Sequence, residues 1–169
     1  MKRRTVVLLM VIAVASAGAR VAWAQEAESH RTWGLSTSLQ GSQLEFMAPV
    51  WIGGSVTLAP AVGLVWAQDA GTDLRLGMVL HIYFGQGRLA PFVGVRGGAL
   101  ISSPSVGESA TDWLAGVLGG AEYSFDRHFA VGVELQLNMT FSADGSVRFG
   151  NPGKKTLNSA SALYAAFYF

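Results

Sequence analysis

No cysteine occurs among the 169 residues, which excludes a disulfide framework, a Cys-ligated metal or cluster, and thiol chemistry. Charge is scarce too. Asp, Glu, Lys and Arg make up 14% of the chain, against about a quarter in ordinary soluble domains. The formal net charge of +1 provides no electrostatic footprint for nucleic acid. What the chain has instead is 50% hydrophobic residues and 21 glycines, in a length that suits one domain.

The first segment reads as an address. Lys2, Arg3 and Arg4 precede an apolar run from Val6 to Ala15, and Ala22-Trp23-Ala24 supplies the small-residue site of a secretory signal peptide. Residues 1–24 are therefore expected to be removed, with cleavage between Ala24 and Gln25. The apolar run falls well short of the ~20 residues a spanning helix needs, and Arg20 interrupts its far end. The 12 Lys and Arg, less the four in this leader, leave eight bases against 11 acids. Residues 25–30 are expected to form a short periplasmic segment ahead of one domain over 31–169.

From residue 31 onward, large apolar residues fall on every second position in eight stretches, the period of a strand with two unlike faces. The clearest runs from Asp73 to Phe84, with Leu74, Leu76, Met78, Leu80, Ile82 and Phe84 on one parity and Asp73, Arg75, Gly77, His81 and Tyr83 on the other. His128 to Phe141 repeats it, setting Phe129, Val131, Val133, Leu135, Leu137, Met139 and Phe141 against Gly132, Glu134, Gln136 and Asn138. Connections after the second, fourth and sixth stretches are short, and Gly85-Gln86-Gly87-Arg88 reads as a tight turn. The others are expected at 67–72, 103–111 and 142–156, preceded by a plain hairpin at Gln40 to Ser42. Short turns on one end and longer loops on the other are the asymmetry of an outer-membrane barrel.

Alternation alone fits a lipocalin-like soluble barrel as well as a membrane barrel. Charge decides between them. Strand interiors carry only Glu45, Arg75, Arg96, Glu122 and Glu134, all on the minor face with glycine and alanine. Five charges cannot solvate the outside of a barrel, but they can pair inside a narrow lumen, where buried ions need partners. A salt-bridge plug is thus favoured over a conducting ring. Trp51, Phe84, Phe125, Phe129, Phe167 and Phe169 gather at one set of strand ends and Trp66, Trp113 and Phe141 at the other, as interfacial belts do. Trp51 has minor-face parity, so a bulge or parity change is expected near Pro49.

The cleavable leader, eight alternating strands and terminal Phe-Tyr-Phe resemble the small outer-membrane barrels of the outer membrane protein A, X and W type. Leu89-Ala90-Pro91-Phe92-Val93-Gly94, Gly119-Gly120-Ala121-Glu122-Tyr123 and Arg148-Phe149-Gly150-Asn151-Pro152 are similar to a bacterial outer membrane protein beta-barrel domain family of undefined function. The resemblance covers roughly 31–169 and implies an eight-stranded antiparallel up-and-down barrel in the bacterial outer membrane. It implies contact with outer-membrane lipids and lipopolysaccharide, and Phe167 and Phe169 as the signal read by the assembly machinery. Tyr164 and Ala162 depart from that signal, which often has glycine and a polar residue there.

Catalysis finds little support. The lipid A deacylases that share this architecture need a His, a Ser two residues later and an acid; here His128 is followed by Ala130. His30, His81 and His128 all map to the periplasmic ends. No acid and histidine spacing suits a metal, Asp144-Gly145 lacks the repeated acids of a calcium loop, and Gly116 to Gly120 has no phosphate-loop lysine. Lys154-Lys155 reads as a solvated loop pair. The expectation is a monomeric, non-enzymatic barrel without cofactor or nucleic acid, structural or surface-interactive in role. The alternative is a narrow pore or conduit for small hydrophobic molecules, with a lipid A-modifying acyl hydrolase or transferase third.

Overall fold

The computed structural model describes residues 31–169 apart from 42, 68–70, 86 and 147. The expected leader, with Ala24 and Gln25, lies outside the described residues, as does His30. Nine strand segments follow in order: β1 Gly34–Gln40, β2 Gln43–Met47, β3 Val50–Trp51, β4 Val56–Ala67, β5 Gly71–Tyr83, β6 Leu89–Pro104, β7 Ala110–Ser124, β8 Phe129–Phe141 and β9 Lys155–Tyr168. Each of β4 to β9 pairs antiparallel with the next, β9 pairs with β1, β1 with β2, and both β2 and β3 with β4. The ring closes on itself, and β2 and β3 are two halves of one barrel strand, so the molecule is an eight-stranded antiparallel barrel. From β4 onward the strands hold 12 to 16 residues, more than the ~9–11 that cross a bilayer when tilted.

The two faces divide by parity throughout. Along β8, Ala130, Gly132, Glu134, Gln136, Asn138 and Thr140 are buried in the lumen, while Phe129, Val133, Leu135, Leu137, Met139 and Phe141 are exposed outside. The same holds around the ring, with Leu64, Trp66, Leu89, Trp113, Leu157 and Leu163 each at least 60% exposed. Among the described residues, no Asp, Glu or Arg has outward parity inside a strand, and Lys155 at the rim is the one lysine. This is an inside-out arrangement, with charges in and hydrocarbon out.

Three expectations need correction. No bulge forms at Pro49: the pairing Ser36↔Met47 continues in step to Trp33↔Val50, and Glu45↔Gly63 continues in step to Trp51↔Thr57. The ladder lapses only at Ala48 and Pro49, where proline has no N–H to donate, and the Pro49 carbonyl still accepts from Gly34 N at 2.8 Å. Trp51 therefore keeps its inward parity. It packs inside the barrel, 5.0 Å from the Tyr83 ring and 6.0 Å from the Tyr168 ring between centroids, and is no part of an outer belt. The connections at the loop end are also tighter than expected, because strand pairing runs further: β6 reaches Pro104 and β9 begins at Lys155.

Candidate functional site: the lumen

The chemistry-bearing side chains lie inside the barrel in three tiers. At the end with the short turns, Glu122 is 1% exposed. Its Oε2 accepts hydrogen bonds from the hydroxyls of Tyr168 (2.7 Å), Tyr164 (3.1 Å) and Tyr83 (3.3 Å), and its Oε1 pairs with Arg31 Nη1 at 3.2 Å. Four donors on one carboxylate replace its lost hydration. Arg31 lies beyond β1 and closes this end from below: its guanidinium sits 4.4 Å over the Tyr168 ring and donates to Ser124 Oγ and the Asp126 and Arg127 carbonyls.

In the middle tier, Arg96 Nη2 donates to both oxygens of Glu45 at 2.9 and 3.1 Å. Glu134 meets His81 Nε2 at 3.1 Å and accepts from Gln136, which in turn accepts from Asn138. The His81 ring packs tilted against Phe92, with centroids 4.5 Å apart. At the loop end, Arg148, from the connection between β8 and β9, reaches into the mouth. Its Nη2 lies 2.8 Å from Asp73 Oδ1 and its Nε 3.6 Å from Asp112 Oδ2. Asp112 also accepts from Ala143 N and Ser146 Oγ, so one carboxylate folds the longest loop inward.

Glycine makes room for this filling. A Cβ on Gly132 would lie 2.3 Å from Tyr164 Cζ, and one on Gly116 would lie 2.2 Å from Asn138 Oδ1 and 3.3 Å from Arg96 Cγ. Lumen glycines thus stand beside the largest lumen side chains of the neighbouring strand, as a barrel of this width requires.

The five sequence-selected charges, Glu45, Arg75, Arg96, Glu122 and Glu134, all occupy the lumen, but they do not form one network. Only Arg96 and Glu45 pair with each other. Glu122 and Glu134 take Arg31 and His81, and among the described residues no carboxylate lies within ion-pair distance of Arg75, which donates to Gln43 Oε1. Asp73, His81 and Asp112 carry the minor-face parity that marks a lumen position, so the pattern could have found them. Arg31 and Arg148 lie outside strand ladders, where parity says nothing. Phe167 and Phe169 are 47% and 49% exposed on the outer face, and Phe169 stacks on Trp33 at 4.4 Å. No group of metal-ligating side chains occurs among the described residues.

No protein-family model matches the chain, and no curated protein matches its sequence. Solved structures do match its fold. Neisserial surface protein A is 14% identical with a TM-score of 0.56, over 81% of this chain and 93% of that one. The N-terminal beta-barrel domain of Pseudomonas aeruginosa OprF is 15% identical with a TM-score of 0.54, over 81% and 95%. The chain therefore has the fold of the small outer-membrane β-barrels, as the alternation and leader led one to expect.

Proposed function

We propose that this chain is an integral outer-membrane barrel of structural or surface-interaction role, without catalysis or cofactor, its lumen sealed by ion pairs. The observation that carries the reading is the segregation of charge. A soluble protein exposing a continuous apolar belt of this size would aggregate, whereas in a bilayer the same belt is solvated and the closed ladder leaves few backbone groups unpaired. The sealed lumen is supported by exposures of 2% for Phe92, 6% for Leu118 and 6% for Glu134, residues that a water-filled pore would wet. A non-enzymatic role is supported by the histidines. His128 Nε2 accepts from Arg127 and its Nδ1 faces the Tyr168 carbonyl, and His81 is held by Glu134 and packs against Phe92, with no serine hydroxyl hydrogen-bonded to either ring among the described residues.

The rest of the reading follows from location. Cleavage before Gln25 would deliver the chain to the periplasm, the outward Phe167 and Phe169 would present the terminal aromatic signal to the assembly machinery, and lipids with lipopolysaccharide would surround a monomer. The test is to fractionate cells producing the full chain, sequence the mature N-terminus, and record from purified protein in a planar bilayer. Outer-membrane recovery, a start at Gln25 and no discrete conductance are expected. Recovery in the soluble periplasm, or steady single-channel steps, would overturn the proposal.

A further inference from the structure

Orphaned polar atoms gather at one end of the lumen. Of the nine buried side-chain N and O atoms without a hydrogen-bond partner among the described residues, six lie at the loop end: Asn138 Oδ1, Thr140 Oγ1, Ser142 Oγ, Arg148 Nε, Thr156 Oγ1 and Asn158 Oδ1. Register explains the cluster. Asn138 pairs with Asn158 and Thr140 with Thr156 across the β8–β9 ladder, so four of the six share one strip of lumen wall. Such groups favour water over unpartnered burial. Thr140 is nonetheless only 1% exposed, because the connection between β8 and β9 lies across the mouth.

That connection has a fixed base and a single distant tie. Ser142 N donates to the Lys154 carbonyl and Gly153 N to that of Ala143, which carries the β8–β9 pairing past the strand ends. Asp112 on β7 accepts from Ala143 N and Ser146 Oγ at 2.9 and 2.8 Å. Beyond this base one side chain spans the mouth: Arg148 Nη2 donates at 2.8 Å to Asp73 Oδ1 on β5, three strands round the ring from β8. The 3.6 Å between Arg148 Nε and Asp112 Oδ2 is too long for a hydrogen bond. Gly150 and Gly153, at φ 61° and 68°, supply turns that a residue with a Cβ rarely adopts.

Charge makes the tie reversible. Arg75, Arg96 and Arg148 stand in the upper lumen against Glu45, Asp73 and Asp112, a balanced set. Arg148 and Arg75 line the same crevice, so their guanidinium groups repel once an acid is lost. Asp73 is the member open to release: its side chain keeps 38% exposure, against 1% for Asp112 and 7% for Glu45.

We propose that residues 143–146 and 148–153 form a lid latched by the Arg148–Asp73 pair, and that loss of the pair swings Arg148 outward and hydrates the chamber lined by Asn138, Thr140, Thr156 and Asn158. Hydration of the orphaned groups and repulsion between arginines drive opening; one ion pair holds the lid shut. Below the chamber, the Arg96–Glu45 pair and the Phe92 ring stay in place, so opening wets the mouth and makes no pore. The inference needs the barrel fold alone, whatever surrounds it.

The chain has no cysteine, so one introduced thiol reports access. Thr140→Cys replaces a hydroxyl that has no hydrogen-bond partner. The full-length chain carrying it, folded in dodecyl maltoside, is to be treated with a charged, water-soluble maleimide and its labelling rate followed by mass. Slow labelling is expected with the latch intact, and a rate at least 10-fold higher when Arg148→Gln or Asp73→Asn is added. With the latch intact, about 1 M sodium chloride, where the screening length is ~3 Å, should also raise the rate. Ala162→Cys, 6% exposed beside Glu134, is the depth control and should label slowly in every background. All variants are to be checked for the heat-sensitive gel band of a folded barrel. Fast labelling of Thr140→Cys with the latch intact, no response to salt, or an unchanged rate in the folded Arg148→Gln and Asp73→Asn proteins would overturn the proposal. So would an equal rise at Ala162→Cys, which would mean that the whole barrel loosens.

Discussion

The Tyr164 ring lies over Gly132, its partner across the β8–β9 ladder, with the space of a missing Cβ filled by Tyr164 Cζ. From that position the phenol reaches Glu122 on β7 at 3.1 Å. Sheet register, the absence of one side chain and a buried hydrogen bond thus form a single unit. Gly132→Ala should push the ring off its seat and cost about 1–3 kcal/mol, the usual range for overpacking. Tyr164→Phe should remove one of Glu122's donors, at about 0.5–1.5 kcal/mol or somewhat more for a charged acceptor. Because both changes act on the same contact, the double variant should fall short of the sum. Urea unfolding in lipid vesicles measures all three, and strict additivity would contradict the coupling.

Arg96 should be coupled to one acid and not to the other. Arg96→Leu leaves Glu45 buried and unpaired, which costs about 3–5 kcal/mol for a broken buried pair. Adding Glu45→Gln should recover part of that loss, whereas adding Glu134→Gln should recover none, because Glu134 faces His81. A double-mutant cycle for each pair, read by the same unfolding measurement, separates the two. Equal recovery by both acids would mean that the middle tier is one diffuse network.

Asp126 sets the one pH dependence readable outside the strands. Its Oδ1 accepts from His128 N at 2.7 Å and Phe129 N at 2.8 Å, and these backbone donors hold its pKa below the ordinary 3.8. A depressed folded-state value means that the carboxylate contributes stability above the unfolded pKa and loses it as pH falls through the folded one. Unfolding curves between pH 6 and 2 should therefore show an acid-labile component that Asp126→Asn removes. The group is fully exposed, so the component should be small. An unchanged pH profile in the variant would contradict the role of this turn.

The fold was legible because each barrel strand repeats one simple rule. Outward positions hold large apolar residues, so parity alone separated Leu135 from Glu134 and placed Glu45, Arg75, Arg96, Glu122 and Glu134 inside. Pairing partners were not legible. Which acid meets Arg96 depends on the stagger between strands around the ring, and β2 with β6 stand apart in sequence by some fifty residues (|i−j| = 51). Arg31 and Arg148 enter from outside the strands, where no period applies. Trp51 misled because it was set in the outer aromatic belt against its own parity, which called for a bulge near Pro49; the register runs through unbroken and the indole packs inside beside Tyr83 and Tyr168. The glycines, read as space in a crowded interior, have particular occupants: Gly132 holds Tyr164, and this explains why a bulky residue stands at 164, where a terminal assembly signal commonly has glycine.

The central claim is that apolar parity faces lipid and charged parity faces the lumen, and Leu135 tests it most directly. It is 70% exposed at the middle of β8, flanked by the buried Glu134 and Gln136. Reversible urea unfolding of Leu135→Arg in lipid vesicles should show a loss of about 2–4 kcal/mol, the cost of a charge near the midplane. A neutral effect in lipid would contradict the account and return the chain to the soluble barrels.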